Sequence, residues 1–265
     1  MYTKIKTLLR LSRIEEYILI LLLIFPLIYL IAPDMLLSSL SIKLFISNLF
    51  LTAFNYSIND IEDAEDDFYD LKKRLRNPIS SNDLSKNQSI IFSLVLLIGG
   101  LYALYLINSI VLTLGIINIT IGFLYSWKRV RLKSTPVLDL VSHVIFLGTI
   151  QFFTIYLTFR SLDLHIIPFL MIIIPFSVMN EMFGELRDFN VDKITDITNT
   201  IQKLEKDNLR KIIMGLTFLA ILGFTLVMLT FPAENRLINL PLSLTICLSS
   251  LLKIYNTSKE VLFTH

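Results

Sequence analysis

The chain has 265 residues, of which 54% are hydrophobic and only 17% are charged, and its mean hydropathy is +0.67. This apolar content exceeds what a soluble domain of this length needs for its core, so the composition argues against a soluble protein and indicates a polytopic membrane protein. The lone Cys247 and three scattered histidines argue against a disulfide framework and against a cysteine or histidine metal site, and the net charge of +2 gives no reason to expect a nucleic acid partner.

The N-terminus has a basic start and then a long apolar run, "MYTKIKTLLRLSRIEEYILILLLIFPLIYLIAP". A cleaved signal peptide would have a shorter apolar core and small residues at the cut, so we predict a retained first span. A membrane span needs about 20 mostly apolar residues. On this basis we predict eight spans, at residues 15–33, 40–58, 89–107, 109–127, 137–159, 166–182, 211–231 and 237–255.

Lysine and arginine are concentrated on one predicted side of the membrane. Only Lys43, Arg160 and Arg236 fall on the other side, so 21 of the 24 basic residues share one side. By the positive-inside rule this side is cytoplasmic. We therefore expect a multi-pass protein of the cell membrane with both termini and the long polar loops in the cytoplasm.

The densest negative charge follows the second predicted span, where "NDIEDAEDDFYD" carries seven carboxylates in eleven residues from Asp60 to Asp70. If the helix of span two continues past Ile58, it places on one face, at steps of four, Asn55, Asn59, Asp63 and Asp67. Asp60 lies beside this face. Stacked carboxylates repel one another, and a divalent cation would remove that penalty. Mg²⁺ prefers such oxygens, completed by water and by a substrate's phosphates.

A second acidic segment, "NEMFGELRDFNVDK", follows the sixth predicted span. Its helical spacing places on one face Glu181, Glu185, Asp188 and Asp192. The pair Asn59 and Asp63 recurs 129 residues later as Asp188 and Asp192, which indicates two related four-helix halves. Two acidic faces on one side of a bundle are suited to metal ions shared between them.

Basic residues accompany both acidic segments. "KKRLRNPIS" follows the first one, and "LYSWKRVRLK" follows span four with Lys128 and Arg129 at its centre. Cations beside metal-binding carboxylates indicate an anionic ligand, most naturally a diphosphate, and the apolar bundle could hold its lipid tail. Arg131 and Lys133 are interpreted as topology signals only. Interhelical hydrogen bonds are the expected role of Asn55, Asn180, Gln151, Asp139 and His143.

These motifs resemble the UbiA superfamily of intramembrane prenyltransferases. "NDIEDAEDD" is similar to the family's NDxxDxxxD signature, "KKRLRNPIS" to its Lys-x-x-Arg-Pro-Ile-x-Ser stretch, "YSWKR" to its Tyr-x-x-x-(Lys/Arg) element and "RDFNVDK" to its second DxxxD motif. The resemblance implies an all-α polytopic transmembrane helical bundle of about eight to nine spans, in one domain of residues 1–265. The chain departs from the family at Asn77, which intervenes before Pro78, and at Asn82 and Asp83, where a glycine is usual.

The resemblance also implies Mg²⁺-dependent transfer of an isoprenoid chain from a polyprenyl diphosphate to a small or lipid-like acceptor among membrane lipids. The implied metal ligands are Asn59, Asp60, Asp63, Asp67, Glu185, Asp188 and Asp192. The implied diphosphate-binding residues are Lys73, Arg76, Tyr125, Lys128 and Arg129. Those expected to be catalytic are Asp63, Asp67, Asp188, Asp192 and Lys128.

Four other functions share parts of this pattern. If the polyprenyl diphosphate ionised in the same way but no second substrate were present, the chain could cyclise on itself, and the protein would be a terpene cyclase. A CDP-alcohol phosphotransferase would need an Asp-Gly-x-x-Ala-Arg pattern, which neither acidic segment contains. A cation transporter would place its ionisable residues near the bilayer midplane, whereas here they cluster at one face, and a non-catalytic membrane protein would use them only as solvated loops.

Overall fold

The computed structural model describes residues 2–194 and 198–231, and these residues form helices and connecting turns without strands. The all-α class is therefore confirmed for the described part of the chain. The last predicted span, residues 237–255, lies outside it, as does the predicted position of the C-terminus. The α-helices are α1 (Tyr2–Ser12), α2 (Ile14–Leu21), α3 (Ile24–Ile31), α4 (Ser39–Asp63), α5 (Leu71–Arg76), α6 (Lys86–Tyr105), α7 (Ser109–Ser126), α8 (Leu138–His143), α9 (Ile150–Phe159), α10 (Ile166–Ile194) and α11 (Lys206–Thr230).

Six segments of the described residues are long and apolar enough to cross a membrane, which makes the chain a multi-pass membrane protein. They are Ile14–Ile31, Lys86–Tyr105, Ser109–Ser126, Leu138–Phe159, Ile166–Phe189 and Asp207–Thr230. The predicted span 40–58 corresponds to α4, which is not among them because polar side chains such as Ser47, Asn48 and Thr52 line its buried face. The count of eight to nine spans thus stays a prediction.

Two of these segments are interrupted helices. α2 and α3 are separated just before Pro26, whose ring nitrogen cannot donate a helical hydrogen bond. Between α8 and α9 the chain forms a π-helix, Val144–Thr149, which widens the helical turn. α10, by contrast, continues for 29 residues despite Pro175. It therefore extends past the predicted end of its span at residue 182 and carries the second acidic motif.

α4 lies at the centre of the bundle and packs against α1, α2, α6, α7 and α9. Small residues allow its closest approaches. A Cβ atom on Gly100 of α6 would lie 2.6 Å from Leu51, and one on Gly122 of α7 would lie 2.4 Å from Asn55 Oδ1. Asn55 also donates to Asn118 Oδ1 of α7 at 3.3 Å. Close packing of small residues and interhelical hydrogen bonds are what holds helices together in lipid, where burial of apolar surface gives no advantage.

Most of the apolar core lies between α2, α3, α4, α9 and the first half of α10. Aromatic rings fill its centre, with Phe152 of α9 lying 5.6 Å from Tyr156 and 5.5 Å from Phe169 between ring centroids. The polar ends of α4, α7 and α10 are left together at one end of this core. Ser126, the last residue of α7, donates to Asn59 Oδ1 of α4 at 3.3 Å.

Candidate active site

The first acidic motif begins on α4 and then leaves the helix. α4 ends at Asp63, and Asp67 lies on a separate 3-10 turn, Asp67–Tyr69. The predicted stripe therefore includes Asn59 and Asp63 but not Asp67. A continuous helix would stack the carboxylates one turn apart, and the break in the helix separates them.

Two basic residues of the loop after α7 lie on the first motif. Lys133 Nζ donates to Asn59 Oδ1 at 3.0 Å and forms an ion pair with Asp63. Arg131 binds Asp63 at 3.1 Å and Asp66 at 2.5 Å. The left-handed backbone of Arg131, with φ of 47°, turns the loop back toward α4. The interpretation of Arg131 and Lys133 as topology signals missed these contacts, because residue spacing alone does not reveal the return of the loop.

Lys128 and Arg129, the predicted diphosphate ligands of this loop, lie further out. Lys128 Nζ pairs with Glu65 at 2.6 Å, and the Glu65 side chain is 86% exposed. The guanidinium of Arg129 lies 5.7 Å from the ring centroid of Trp127. The hydrogen bond from Lys128 lowers the pKa of Glu65. Both cations are therefore at the rim of the site, where water screens their charge.

Lys73 of α5 connects the two acidic motifs. Its ammonium lies 3.1 Å from Asp188 Oδ2 of α10, and Arg187 Nε donates to the other oxygen of the same carboxylate at 3.2 Å. Arg76, one turn later in α5, lies 3.9 Å from Glu16 of α2 instead. The structure therefore brings Lys73 to the second motif and places Arg76 toward the first span, while the binding of a diphosphate by either residue stays a prediction.

Asp192, the last carboxylate of the second motif, faces the first motif. Asn199 donates to its Oδ2 at 3.0 Å. Burial raises the pKa of Asp192 to about 6, with the negative charges of Asp188 and Asp63 adding to the rise and the cations Lys73 and Lys133 opposing it. Charged groups of both motifs thus act on the pKa of Asp192, so the ends of α4 and α10 share one electrostatic environment.

Two predicted metal ligands have other partners. Asp60 is fully buried and forms an ion pair with Arg13, which lies between α1 and α2. Asn77 donates to the backbone oxygen of Asp60 at 2.8 Å and to Asp67 Oδ2 at 2.9 Å. Asn77, the residue at which the chain departs from the family pattern, thus ties the backbone of Asp60 in α4 to the carboxylate of Asp67.

The deeper carboxylates of α10 belong to a separate polar cluster. Glu185 accepts the backbone N–H of Ile201 at 3.0 Å and is buried. Glu181, one turn deeper, accepts a hydrogen bond from Tyr125 and lies 3.2 Å from His143 Nε2. Tyr125, a predicted diphosphate ligand, therefore contacts a carboxylate beneath the motifs.

The donor set of the shared space fits Mg²⁺. Asn59 Oδ1 and an Asp63 oxygen already hold one cation, the ammonium of Lys133. In residues 2–194 and 198–231 no three His, Cys, Asp or Glu side chains converge closely enough to hold a metal alone. The predicted metal ligands are therefore not gathered into one cluster in these residues, and Mg²⁺ between the motifs would need water and phosphate oxygens to complete its octahedron.

Comparisons with known proteins identify the family and the fold. The profile of the UbiA prenyltransferase family matches residues 16–260, while no curated protein matches the chain by sequence. The fold is similar to that of a UbiA homolog from Archaeoglobus fulgidus bound to GPP and Mg²⁺, with a TM-score of 0.74 and 18% identity over 93% of this chain and 86% of that one. For the same homolog bound to DMAPP and Mg²⁺, the TM-score is 0.73 and the sequence identity is 19%, over 94% of this chain and 86% of that one. For a structure of digeranylgeranylglyceryl phosphate synthase in membranes, the TM-score is 0.64 and the sequence identity is 21%, over 98% of this chain and 92% of that one.

Proposed function

Since the chain belongs to the UbiA prenyltransferase family, we propose that it transfers the isoprenoid chain of a polyprenyl diphosphate to a small or lipid-like acceptor within the membrane, with Mg²⁺ as cofactor. The similar structure from Archaeoglobus fulgidus binds GPP or DMAPP together with Mg²⁺, which supports the donor class and the metal. The same family and fold are compatible with a terpene cyclase, so the acceptor decides between the two outcomes.

The observation that carries the proposal is the meeting of two acidic motifs with buried cations at one end of the bundle. Asp63 with Lys133, and Asp188 with Lys73, form two mixed-charge pairs on opposing helices. A diphosphate needs cations around its oxygens and metal-binding carboxylates beside them. A transporter of cations would not need lysines among its carboxylates.

We assign the metal to Asn59, Asp63, Asp188 and Asp192, with Asp67 joining them after rearrangement of its turn. Bound Mg²⁺ would neutralise the charge that develops on the departing diphosphate. Lys73 and Lys133 would donate to diphosphate oxygens and stabilise the leaving group. The three outer cations Arg76, Lys128 and Arg129 would attract the diphosphate from the aqueous side.

The apolar bundle has the second task of keeping water away from the allylic cation. Aromatic and aliphatic side chains below the motifs would accept the prenyl tail and would leave the cation to the acceptor's nucleophile. We further infer that residues 1–265 form one membrane domain, with the site and both termini on the cytoplasmic side. The distribution of lysine and arginine supports this orientation.

The test is pyrophosphate release by the purified protein in detergent. Geranylgeranyl diphosphate is supplied with Mg²⁺ or with EDTA, across a panel of aromatic, quinone-precursor and glycerol-based acceptors. Release that requires Mg²⁺ and rises with one acceptor identifies the transferase and its substrate class. Release without an acceptor, yielding a cyclised hydrocarbon, identifies the cyclase. A protein that releases no pyrophosphate from any donor length contradicts both.

A further inference from the structure

A chain of hydrogen bonds lies inside the bundle, beneath the two acidic motifs. Tyr125 of α7 donates to Glu181 Oε1 of α10, and His143 Nε2 of α8 lies 3.2 Å from Glu181 Oε2. His143 Nδ1 lies 3.1 Å from Ser177 Oγ, one turn deeper in α10. The Glu181 side chain is 13% exposed and that of His143 is 6% exposed. Three helices thus contribute to holding one carboxylate in a fixed position.

The position of Glu181 follows from helix geometry. It precedes Asp188 by seven residues, so both project from the same face of α10, and Glu181 lies about 10 Å deeper along the axis. The end of α7 contacts both levels, since Ser126 reaches Asn59 of the first motif at 3.3 Å and the neighbouring Tyr125 donates to Glu181. A prenyl diphosphate whose head is held at the motifs would extend its chain toward the depth of Glu181.

Prenyl transfer leaves a proton to be removed at this depth. The bond between the allylic carbon and the diphosphate breaks, and its electron pair leaves with pyrophosphate. A new bond forms between that carbon and an oxygen or carbon atom of the acceptor, which then loses the hydrogen it carried. The cyclase outcome has the same requirement, because the final carbocation loses a proton to become an alkene.

We propose that Glu181 accepts this proton, with Tyr125 and His143 as the residues that position it. This inference rests on the proposed function and adds to it a protic or C–H nucleophile as acceptor. Asp63 and Asp188 are poorly suited to the task because lysine and arginine neutralise them. In the described part of the chain, the one basic side chain within 4 Å of Glu181 is His143.

The groups around Glu181 include other titratable side chains. Tyr56 of α4 lies within its electrostatic range. From α8, Asp139 faces the neighbouring Glu185 and Tyr125, and Glu185 itself is the next carboxylate along α10. A pH profile of the wild-type protein therefore reports on the cluster, and only its change on substitution of Glu181 assigns the proton to that residue.

The experiment compares the wild-type protein with Glu181→Gln, which keeps the size and hydrogen-bonding capacity of the side chain but is not basic. The substrates are geranylgeranyl diphosphate and the acceptor that raises wild-type turnover, and prenylated product is measured across pH. We expect Glu181→Gln to lower kcat about 100-fold or more, the lower end of what a positioned base contributes, and to lose the acidic limb of the pH profile. Mg²⁺-dependent binding of the unreactive geranylgeranyl thiolodiphosphate should be unchanged, which separates loss of the base from misfolding.

Two results would overturn the inference. One is a Glu181→Gln protein whose kcat stays within about threefold of the wild-type value at every pH. The other is an equal loss of activity and of thiolodiphosphate binding, which would show a structural role. The exposed residue Glu205 provides the matched control, since Glu205→Gln removes a carboxylate at the start of α11 that has no contact with Glu181, Tyr125 or His143 among the described hydrogen bonds and ion pairs. A wild-type protein without any turnover would instead overturn the proposed function together with this inference.

Discussion

Replacing Lys133 or Lys128 by methionine distinguishes the cation that the structure places on the first motif from the one that the sequence favours. Both substitutions remove one ammonium group from the same loop and keep most of the side-chain volume. Lys133 is 13% exposed and contacts Asn59 and Asp63, whereas Lys128 is 35% exposed and pairs with the almost fully exposed Glu65. Because both substitutions remove the same charge, a difference between the two variants reports on where each ammonium group lies and how deeply it is buried.

The expected magnitudes follow from these environments. A charge-assisted hydrogen bond from Lys133 to a diphosphate oxygen would contribute about 1.5–3 kcal/mol. Its loss should lower kcat/KM for the prenyl diphosphate roughly 10- to 150-fold. An exposed cation such as Lys128 contributes about 0–1 kcal/mol, so its loss should lower kcat/KM less than about fivefold.

The assay is Mg²⁺-dependent pyrophosphate release from geranylgeranyl diphosphate at low donor concentration, with the acceptor fixed. Gel filtration and thermal melting in detergent check that both variants remain folded. If Lys128→Met is the more damaged variant, the placement of Lys133 at the diphosphate is wrong, and the family-based expectation for Lys128 is favoured.

Further predictions concern the metal ligands, the helix contacts and one buried ion pair. Asp63→Asn and Asp192→Asn should each reduce Mg²⁺-dependent turnover below detection while purifying as folded protein, and near-wild-type activity in either variant would exclude that residue as a ligand. Removal of Mg²⁺ by EDTA should stop turnover but leave the melting temperature unchanged, because lysine and arginine already balance the carboxylates. Gly122→Val should lower the melting temperature, since its side chain would collide with a buried amide of α4, whereas an unchanged value would show that α7 can shift. Asp60→Asn leaves Arg13 buried and unpaired, so a loss of about 3–5 kcal/mol of stability is expected, and a stable variant with weakened Mg²⁺ dependence would instead identify Asp60 as a ligand.

The sequence was a sufficient guide to the helices, because spans depend on local composition. The apolar runs and their lengths predict the ends of most helices to within a few residues, as for 89–107 against Lys86–Tyr105. The prediction was least accurate at the polar ends. α10 extends to Ile194 rather than 182, since the helical spacing of its acidic face continues after the apolar run has ended.

The site was predictable in outline but not in its pairings. Charge density and spacing indicate which segments converge, and Lys73 and Asp188 do meet. Which cation reaches which carboxylate depends on loop paths, and the left-handed turn at Arg131 has no clear signal in sequence because the residue there is not glycine. The partnership of Asp60 with Arg13 was missed for a similar reason, since it joins residues 47 positions apart.

The pairing of Lys133 and Arg131 with the first motif, and of Lys73 with the second, has a consequence for the order of binding. Each motif has basic side chains paired with its carboxylates, so much of the negative charge of the site is already compensated. Such a site offers little net attraction to a free divalent ion, while the outer cations attract a diphosphate only as far as the rim. It can accept the two together as a nearly neutral complex, with the lysines moving from carboxylate to phosphate oxygens as the metal takes their place. The protein would thus bind Mg²⁺ tightly only in the presence of its lipid diphosphate.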